Sequence, residues 1–363
     1  MQVAGSQTPT RRSARSGGLV RPGLTAAQLP SVEFDARTAY DFLTSMCDEC
    51  TESAELLPED RSWLEESSAA VATEMGSVDL ARTCSGFLSE IGRALVTHPG
   101  IRTARETVEL VEVLPDRELL EVMTGELLDD PDLGAVTRRA VDGDDAAYRE
   151  LQTTLETHKG QPVLTIPLAL LAPAARAVLK AWLPHFEQVE ARIGRMLDRD
   201  VASHRAEDLA GDPIGFVERI TNGIRLVPEQ RIRRIVLVPS YFERPYNSLS
   251  KVGDAQVILY PISDSALGAA DRLAPPASTV RLYRALGDET RLQILRFLAG
   301  RDRYLTEIAN ELELSKPTVK HHLAQLRSAG LVTVTEQGNF TYYALRHDRA
   351  EEAGVELRAY LAH

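Results

Sequence analysis

The sequence predicts an α+β protein in two parts: a mostly helical N-terminal region ending in a small antiparallel sheet, then a shorter C-terminal domain of helices closed by a hairpin. Three observations carry this. From Ser31 to about Arg219, apolar residues recur at three- and four-residue spacing, as in RSWLEESSAAVATEM and LAPAARAVLKAWLPHFEQVEARIGRMLDRDV. Near Ile224 the period changes to short β-branched or aromatic runs, GIRLVPE, RRIVLVPSYFERP and DAQVILYPISD, bounded by Pro, Gly, Asn and Asp. After the aperiodic stretch ALGAADRLAPPAST the helical pattern resumes and ends in LVTVTEQGNFTYYAL, two alternating runs around Gln-Gly-Asn.

These shifts divide the chain into a disordered tail (1–30), a helical and small-sheet region (31–264), a linker (265–278) and a C-terminal domain (279–363). In the tail, Arg11, Arg12, Arg15 and Arg21 stand among Ser, Gly, Thr and Pro without the apolar block of a secretion signal. No run approaches the ~18 consecutive apolar residues of a membrane span, so no membrane partner is expected. The three cysteines, Cys47, Cys50 and Cys84, are too few for a disulfide framework and fit a reducing cytoplasm, the expected location. Cys47 and Cys50 form a Cys-x-x-Cys, with Cys84 and His98 further on, and a zinc or redox reading competes with simple packing in a helical pattern. One pair without a second favours packing, and no metal or cofactor is expected.

The formal charge of −12 argues against a polyanionic partner only if it is spread evenly. Thr279 to Arg346 holds ten Lys/Arg against seven Asp/Glu, net +3, which leaves −15 on the remainder. The acidity therefore lies outside this segment of the C-terminal domain.

That domain opens with VRLYRAL. Asp288 is placed to cap DETRLQILRFLAG, where Leu292, Leu295 and Leu298 are expected to share a buried face. Thr306 is expected to cap TEIANEL, with Ile308, Ala309 and Leu312 inward, and Glu313 and Leu314 make a turn. Ser315 caps SKPTVKHHLAQLRSAG, Pro317 sits in its first turn, and Gly330 ends it. Val319, Leu323 and Leu326 fall at i, i+4 and i+7 as core anchors, which leaves Lys316, Thr318, Lys320 and His321 outward on the first two turns. Helix, turn, recognition helix and hairpin in that order describe a winged helix, a fold that reads DNA in the major groove.

LYRALGDETRLQILRFLAG followed by LTEIANELELSKPTVKHHLAQLRSAGLV and the hairpin resembles the ArsR family of bacterial repressors, over about a quarter of the chain. The resemblance implies a homodimer on a two-fold-related operator, released when an effector is sensed. Metal-sensing members place a Cys-x-Cys pair on or beside the helix that here reads TEIANEL, and no cysteine occurs in this domain. A second metal arrangement on the helix after the wing is not reproduced by His347 and His363 in RHDRAEEAGVELRAYLAH, so a non-metal-sensing member is expected.

The expected DNA contacts are Ser315, Lys316, Thr318, Lys320, His321 and Gln325 on the recognition helix, with Gln337, Asn339 and Arg346 at the wing. His322, beside the core row, is expected to pack rather than read bases. Region 31–264 lacks a phosphate-cradling Gly-rich loop, GxSxG and HExxH, so an enzyme is not expected. It is large enough to bind a small-molecule effector, with Tyr241, Arg244, Tyr246 and Asn247, beside Ser240, as the candidate lining, though a strand end and turn with Pro245 fixing the bend is the favoured reading of that stretch. A protein-interaction module, or less readily an enzyme fused to a DNA reader, stays open as the alternative.

Overall fold

The computed structural model describes residues 29–47, 55–76, 78–157, 166–204, 212–227, 229, 231–268, 275–337 and 340–362. Most of the tail, Cys50 and the middle of the linker fall outside these. The elements run β1 (Ser31–Phe34), α1 (Thr38–Thr44), α2 (Pro58–Met75), α3 (Val78–Thr97), α4 (Ala104–Val113), α5 (Asp116–Met123), α6 (Gly125–Asp129), α7 (Gly134–Val141), α8 (Asp145–Thr157), α9 (Leu168–His204), α10 (Pro213–Ile220), β2 (Arg234–Ser240), β3 (Ser248–Val252) and β4 (Ala255–Pro261). A 3-10 turn (Asp264–Leu267) leads on to α11 (Ala277–Leu286), α12 (Glu289–Leu298), β5 (Arg303–Tyr304), α13 (Leu305–Glu311), α14 (Lys316–Ser328), β6 (Val332–Gln337), β7 (Phe340–Leu345) and α15 (His347–Leu361).

The spine of the N-terminal body is α9, about 55 Å long at 1.5 Å per residue. It continues through Pro173 and Pro184 because its apolar stripe is buried along the whole length: Leu171, Ala175, Val178, Trp182, Phe186, Val189, Ile193 and Met196 recur every three or four residues. Their partners include Tyr40, Phe42 and Leu43 of α1 and Phe87, Leu88, Ile91 and Leu95 of α3. Cys47 packs, partly buried, against the same core.

The sheet corrects the expectation of antiparallel pairing. Its order is β1-β2-β4-β3; β1 runs parallel to β2, and β2 parallel to β4, while β3 alone is antiparallel to its neighbour. The region read as mostly helical thus opens with a four-residue strand, too short to impose a period of its own, and helices α1 to α10 are inserted between two adjacent parallel strands. In β2, Val236 and Val238 join the helical core while Ile235 and Leu237 pack under Phe216, Val217 and Ile220 of α10. A strand covered on both faces reads as a continuous apolar run, the signature of buried parallel strands.

Charged groups close the ends of these elements. The Arg37 guanidinium donates to the carbonyls of Leu95 (2.9 Å), His98 (2.9 Å) and Ile101 (2.7 Å), capping the end of α3, while Asp35 pairs with it. At the C-terminal end of β2, the fully buried Asp41 carboxylate accepts the Ser240 hydroxyl and the Tyr241 amide (3.0 Å).

The C-terminal domain has its own core of Leu282, Ile294, Leu295, Leu298, Ile308, Val319, Leu323, Leu326, Leu331 and Val332. On α12 the buried face is Ile294, Leu295 and Leu298, whereas Leu292, expected inside, is half exposed. The expected face was rotated by one side chain. The sheet here has the order β5-β7-β6, which leaves β6 at an edge. That edge is met by the N-terminal body: the Arg225 amide donates to the Val334 carbonyl and the Val334 amide to the Gly223 carbonyl, both at 2.9 Å.

Desolvation pushes the Asp41 carboxyl up to about 6 from an ordinary 3.8, with the Ser240 hydroxyl and the Tyr241 and Phe242 amides opposing. The folded chain therefore holds a proton that the unfolded chain releases between about pH 4 and pH 6. This group's contribution to stability is complete below that window and is lost as pH rises through it, about 3 kcal/mol in all. Asp41→Asn removes the titration, so in urea unfolding the wild type gains on the variant by up to that amount between pH 7 and pH 4. A gap independent of pH contradicts the assignment.

Candidate nucleic-acid interface

Three local devices seat α14. The Asp288 side chain accepts the Arg291 amide (2.9 Å) and caps α12, and that bond holds its carboxyl below the usual carboxylate range. The next helix is capped two residues earlier than expected, at Tyr304. Thr306 lies inside α13, and the Glu307 carboxylate reaches back to the Tyr304 amide (3.1 Å) in its place. The turn into α14 has Glu313 at φ +54°, and the Leu314 amide returns to the Ala309 carbonyl (3.0 Å).

Ser315 then caps α14 as the sequence indicates: its Oγ accepts the Thr318 amide (3.3 Å) and shares a hydrogen bond with the Thr318 hydroxyl (2.7 Å). Pro317 stands in the first turn, where its missing amide proton leaves no hydrogen bond unmade. Val319, Leu323 and Leu326 are buried, each at most 1% exposed. Gly330 ends the segment at φ +71°.

Seating α14 by that row fixes the opposite face. Lys316, Thr318, Lys320 and His321 are all exposed on its first two turns, beside the exposed cap Ser315. The structure thus brings five expected contacts onto one surface. Gln325 lies one turn further on and is half-buried. His322 is tucked in, 16% exposed, with Nδ1 3.8 Å from Asp288 Oδ1, the packing position expected of it.

At the wing, β6 and β7 pair from Val332↔Leu345 to Gln337↔Phe340. Gln337 ends β6, its side chain lies outside the described residues, and so does Asn339. Tyr343 packs on the domain core while Tyr342 meets Tyr304 edge-on at 6.4 Å. Arg346, expected to reach a phosphate, is instead 12% exposed; its side chain lies over Gly330 and Gly223, and its Nη2 is 3.8 Å from Asp348. The base of the hairpin is where the N-terminal body docks, so this side chain is covered.

The four residues expected to line an effector site are placed differently from an open pocket. Tyr241 is fully buried; its hydroxyl donates to Asp60 (2.6 Å) and accepts the Leu57 amide (2.8 Å). Arg244, 2% exposed, donates to the Ile262 carbonyl (2.7 Å) and pairs with Asp264 (2.5 Å). Asn247 donates to the Thr221 carbonyl (3.0 Å). Tyr246 is half-buried and its amide donates to Glu243 (2.7 Å), closing the turn. Ser240 bonds Asp41. What the sequence presents as a polar-aromatic cluster is internal bonding at the end of β2.

Sequence reasoning passed over the contact between the two parts, carried by Thr221 to Arg225, Glu55 and Arg281. The signal available was Asn222-Gly223, a dipeptide suited to left-handed backbone. Here Asn222 has φ +54° and Gly223 φ +112°.

A capped helix, a tight turn, a second helix with an exposed polar face and a trailing hairpin define a winged helix-turn-helix domain. The family described as bacterial regulatory protein, arsR family, matches residues 288–334. An HTH-type transcriptional regulator of Methanocaldococcus jannaschii is 38% identical over 72 residues, 20% of this chain and 81% of that protein. The transcriptional repressor SdpR of Bacillus subtilis is 38% identical over 64 residues, 18% of this chain and 71% of that one. A solved structure of HlyU from Vibrio cholerae is 32% identical, covering 23% of this chain and 94% of its own, with a TM-score of 0.20. Through its C-terminal domain the chain belongs to the arsR family of bacterial regulatory proteins. Among the described residues no helix is long and apolar enough to cross a membrane.

Proposed function

We propose that the chain is a sequence-specific DNA-binding transcriptional repressor, a homodimer that reads a two-fold-related operator with α14 and answers to an effector through its N-terminal body. The observation that carries the reading is the exposed group Ser315, Lys316, Thr318, Lys320 and His321 at the start of a helix seated by its opposite face. A helix end of this kind fits the major groove, where Lys meets guanine edges or phosphates and Thr and His exchange hydrogen bonds with bases. Gln325, Gln337 and Asn339 are proposed as flanking contacts, and Arg346 is left out because it is covered. The helix that carries thiolate ligands in metal-sensing relatives is here α13, which has no cysteine, so the effector is proposed not to be a soft metal at that place.

The proposed dimer face is the outer side of α11 and α15. Val280, Tyr283, Leu357 and Tyr360 line a groove between these helices, and Leu361 beyond it is 72% exposed. A partly exposed apolar strip on two neighbouring helices suits an isologous interface, in which the same strip meets its copy.

Two measurements test these statements. A duplex recovered by selection from a random-sequence pool with the full chain is the probe. Lys320→Ala with His321→Ala is expected to weaken binding to it by one to two orders of magnitude and to flatten the salt dependence by about one unit if Lys320 neutralises a phosphate. Unchanged binding contradicts the role given to α14. Separately, Leu357→Asp is expected to shift the protein from dimer to monomer in light scattering with its circular dichroism intact; a dimer that persists contradicts the proposed face.

A further inference from the structure

The reader is gripped by the N-terminal body at two places. At the first, Thr221 to Arg225 form a strap along the free edge of β6. Ile224 bridges Val334 in parallel sense, with the two main-chain hydrogen bonds described above. The strap is held on its own side as well. Ile224 is buried in the cluster under the sheet, its amide donates to the Thr221 hydroxyl (3.2 Å), Asn247 holds the Thr221 carbonyl (3.0 Å), and Arg225 pairs with Glu218 (3.0 Å). Gly223 is required twice over. Its φ of +112° disfavours any side chain, and a Cβ there would stand 3.0 Å from the Val332 carbonyl oxygen and 3.3 Å from Thr333 Cα.

At the second place, charged groups clasp α11, the first helix of the reader. Glu55 pairs with Arg281 of α11 and lies 3.6 Å from Arg244, and Arg244 pairs in turn with Asp264. Asp264 then accepts the Ser278 amide (2.9 Å) in the first turn of α11. These side chains are between 2% and 23% exposed, so their attraction is weakly screened.

We infer that this two-point clamp is a coupling device: the N-terminal body holds β6 and α11 in the arrangement that binds DNA, and releasing either point weakens DNA binding. The inference rests on the DNA-binding reading proposed above. Its direction follows from geometry. With both points made, Lys316, Thr318, Lys320 and His321 remain exposed, so docking does not cover the reading face. Docking does fix the start of the reader and the strand that leads into the wing, and order established before binding is not lost at binding. Any rearrangement of the N-terminal body that withdraws the strap therefore reaches the wing directly, through main-chain bonds.

The test uses the full chain, the selected duplex and two variants that act at different points. Gly223→Val strains the turn and forces the strap off Val332 and Thr333; Glu55→Gln removes the charge shared by Arg281 and Arg244. Hydrogen exchange reads docking at the Arg225 and Val334 amides, and folding of the reader at α14. The expected result is protected Arg225 and Val334 amides in the wild type. In Gly223→Val that protection is lost while α14 stays protected, and Kd for the duplex rises about tenfold or more; Glu55→Gln raises Kd several-fold. Loss of protection at Arg225 and Val334 with Kd unchanged overturns the inference and leaves the DNA-binding reading standing. Unprotected amides in the wild type overturn it too. A wild type that binds no duplex while those amides are protected removes the DNA-binding reading, and the coupling with it.

Discussion

The burial of Val319, Leu323 and Leu326 is the constraint on which the reading surface depends. A helix of 13 residues is marginal alone, so α14 takes its position and rotation from that row and from the cap at Ser315. Once the row is fixed, the position of every other residue on the helix follows from the 3.6-residue period. Thr318, Lys320 and His321 then fall away from the row, Lys316 is exposed as the first residue of the helix, and His322 is turned toward Asp288 at the head of α12. A change in the row therefore acts on the proposed DNA contacts without touching them. A rotation of one residue, about 100°, would put Lys320 in the buried place of Val319 and Val319 in the exposed place of Thr318.

The same logic of seating extends outward. The reader is not a bead on a flexible string, because the body that precedes it contributes main-chain hydrogen bonds to β6 and a carboxylate to the first turn of α11. An edge strand with open amides and carbonyls is a hazard for any small sheet, and here the edge is met by the chain itself. The cost is conformational: the strap leaves α10 through Asn222 and Gly223, both in left-handed backbone. Arg346 lies within this contact. Its side chain covers Gly223 and Gly330.

Much of the C-terminal domain was legible because its signals are local. Ser315, Pro317, Val319, Leu323 and Gly330 each act within one or two turns, and Asp288 caps the helix that follows it. The errors there were small: Leu292 for Ile294 on a face, Thr306 for the Glu307 return bond. The N-terminal sheet was misread in sense because strand direction is set by contacts distant in the chain. β1 is four residues long, and its partner β2 follows only after α10. The cluster from Ser240 to Asn247 misled for a related reason. Polar and aromatic side chains in one short stretch suggest a pocket, but Asp41, Asp60, Asp264 and Thr221, which occupy them, come from four other places in the sequence.

The central claim is that the first turns of α14 enter the major groove at two symmetry-related places. Methylation protection at guanine N7 measures this most directly, because that atom faces the major groove. On a duplex selected by the full chain, the account predicts two protected segments whose centres lie about one helical turn, roughly 10 base pairs, or a multiple of it apart. Tight binding with every guanine N7 still reactive would contradict it.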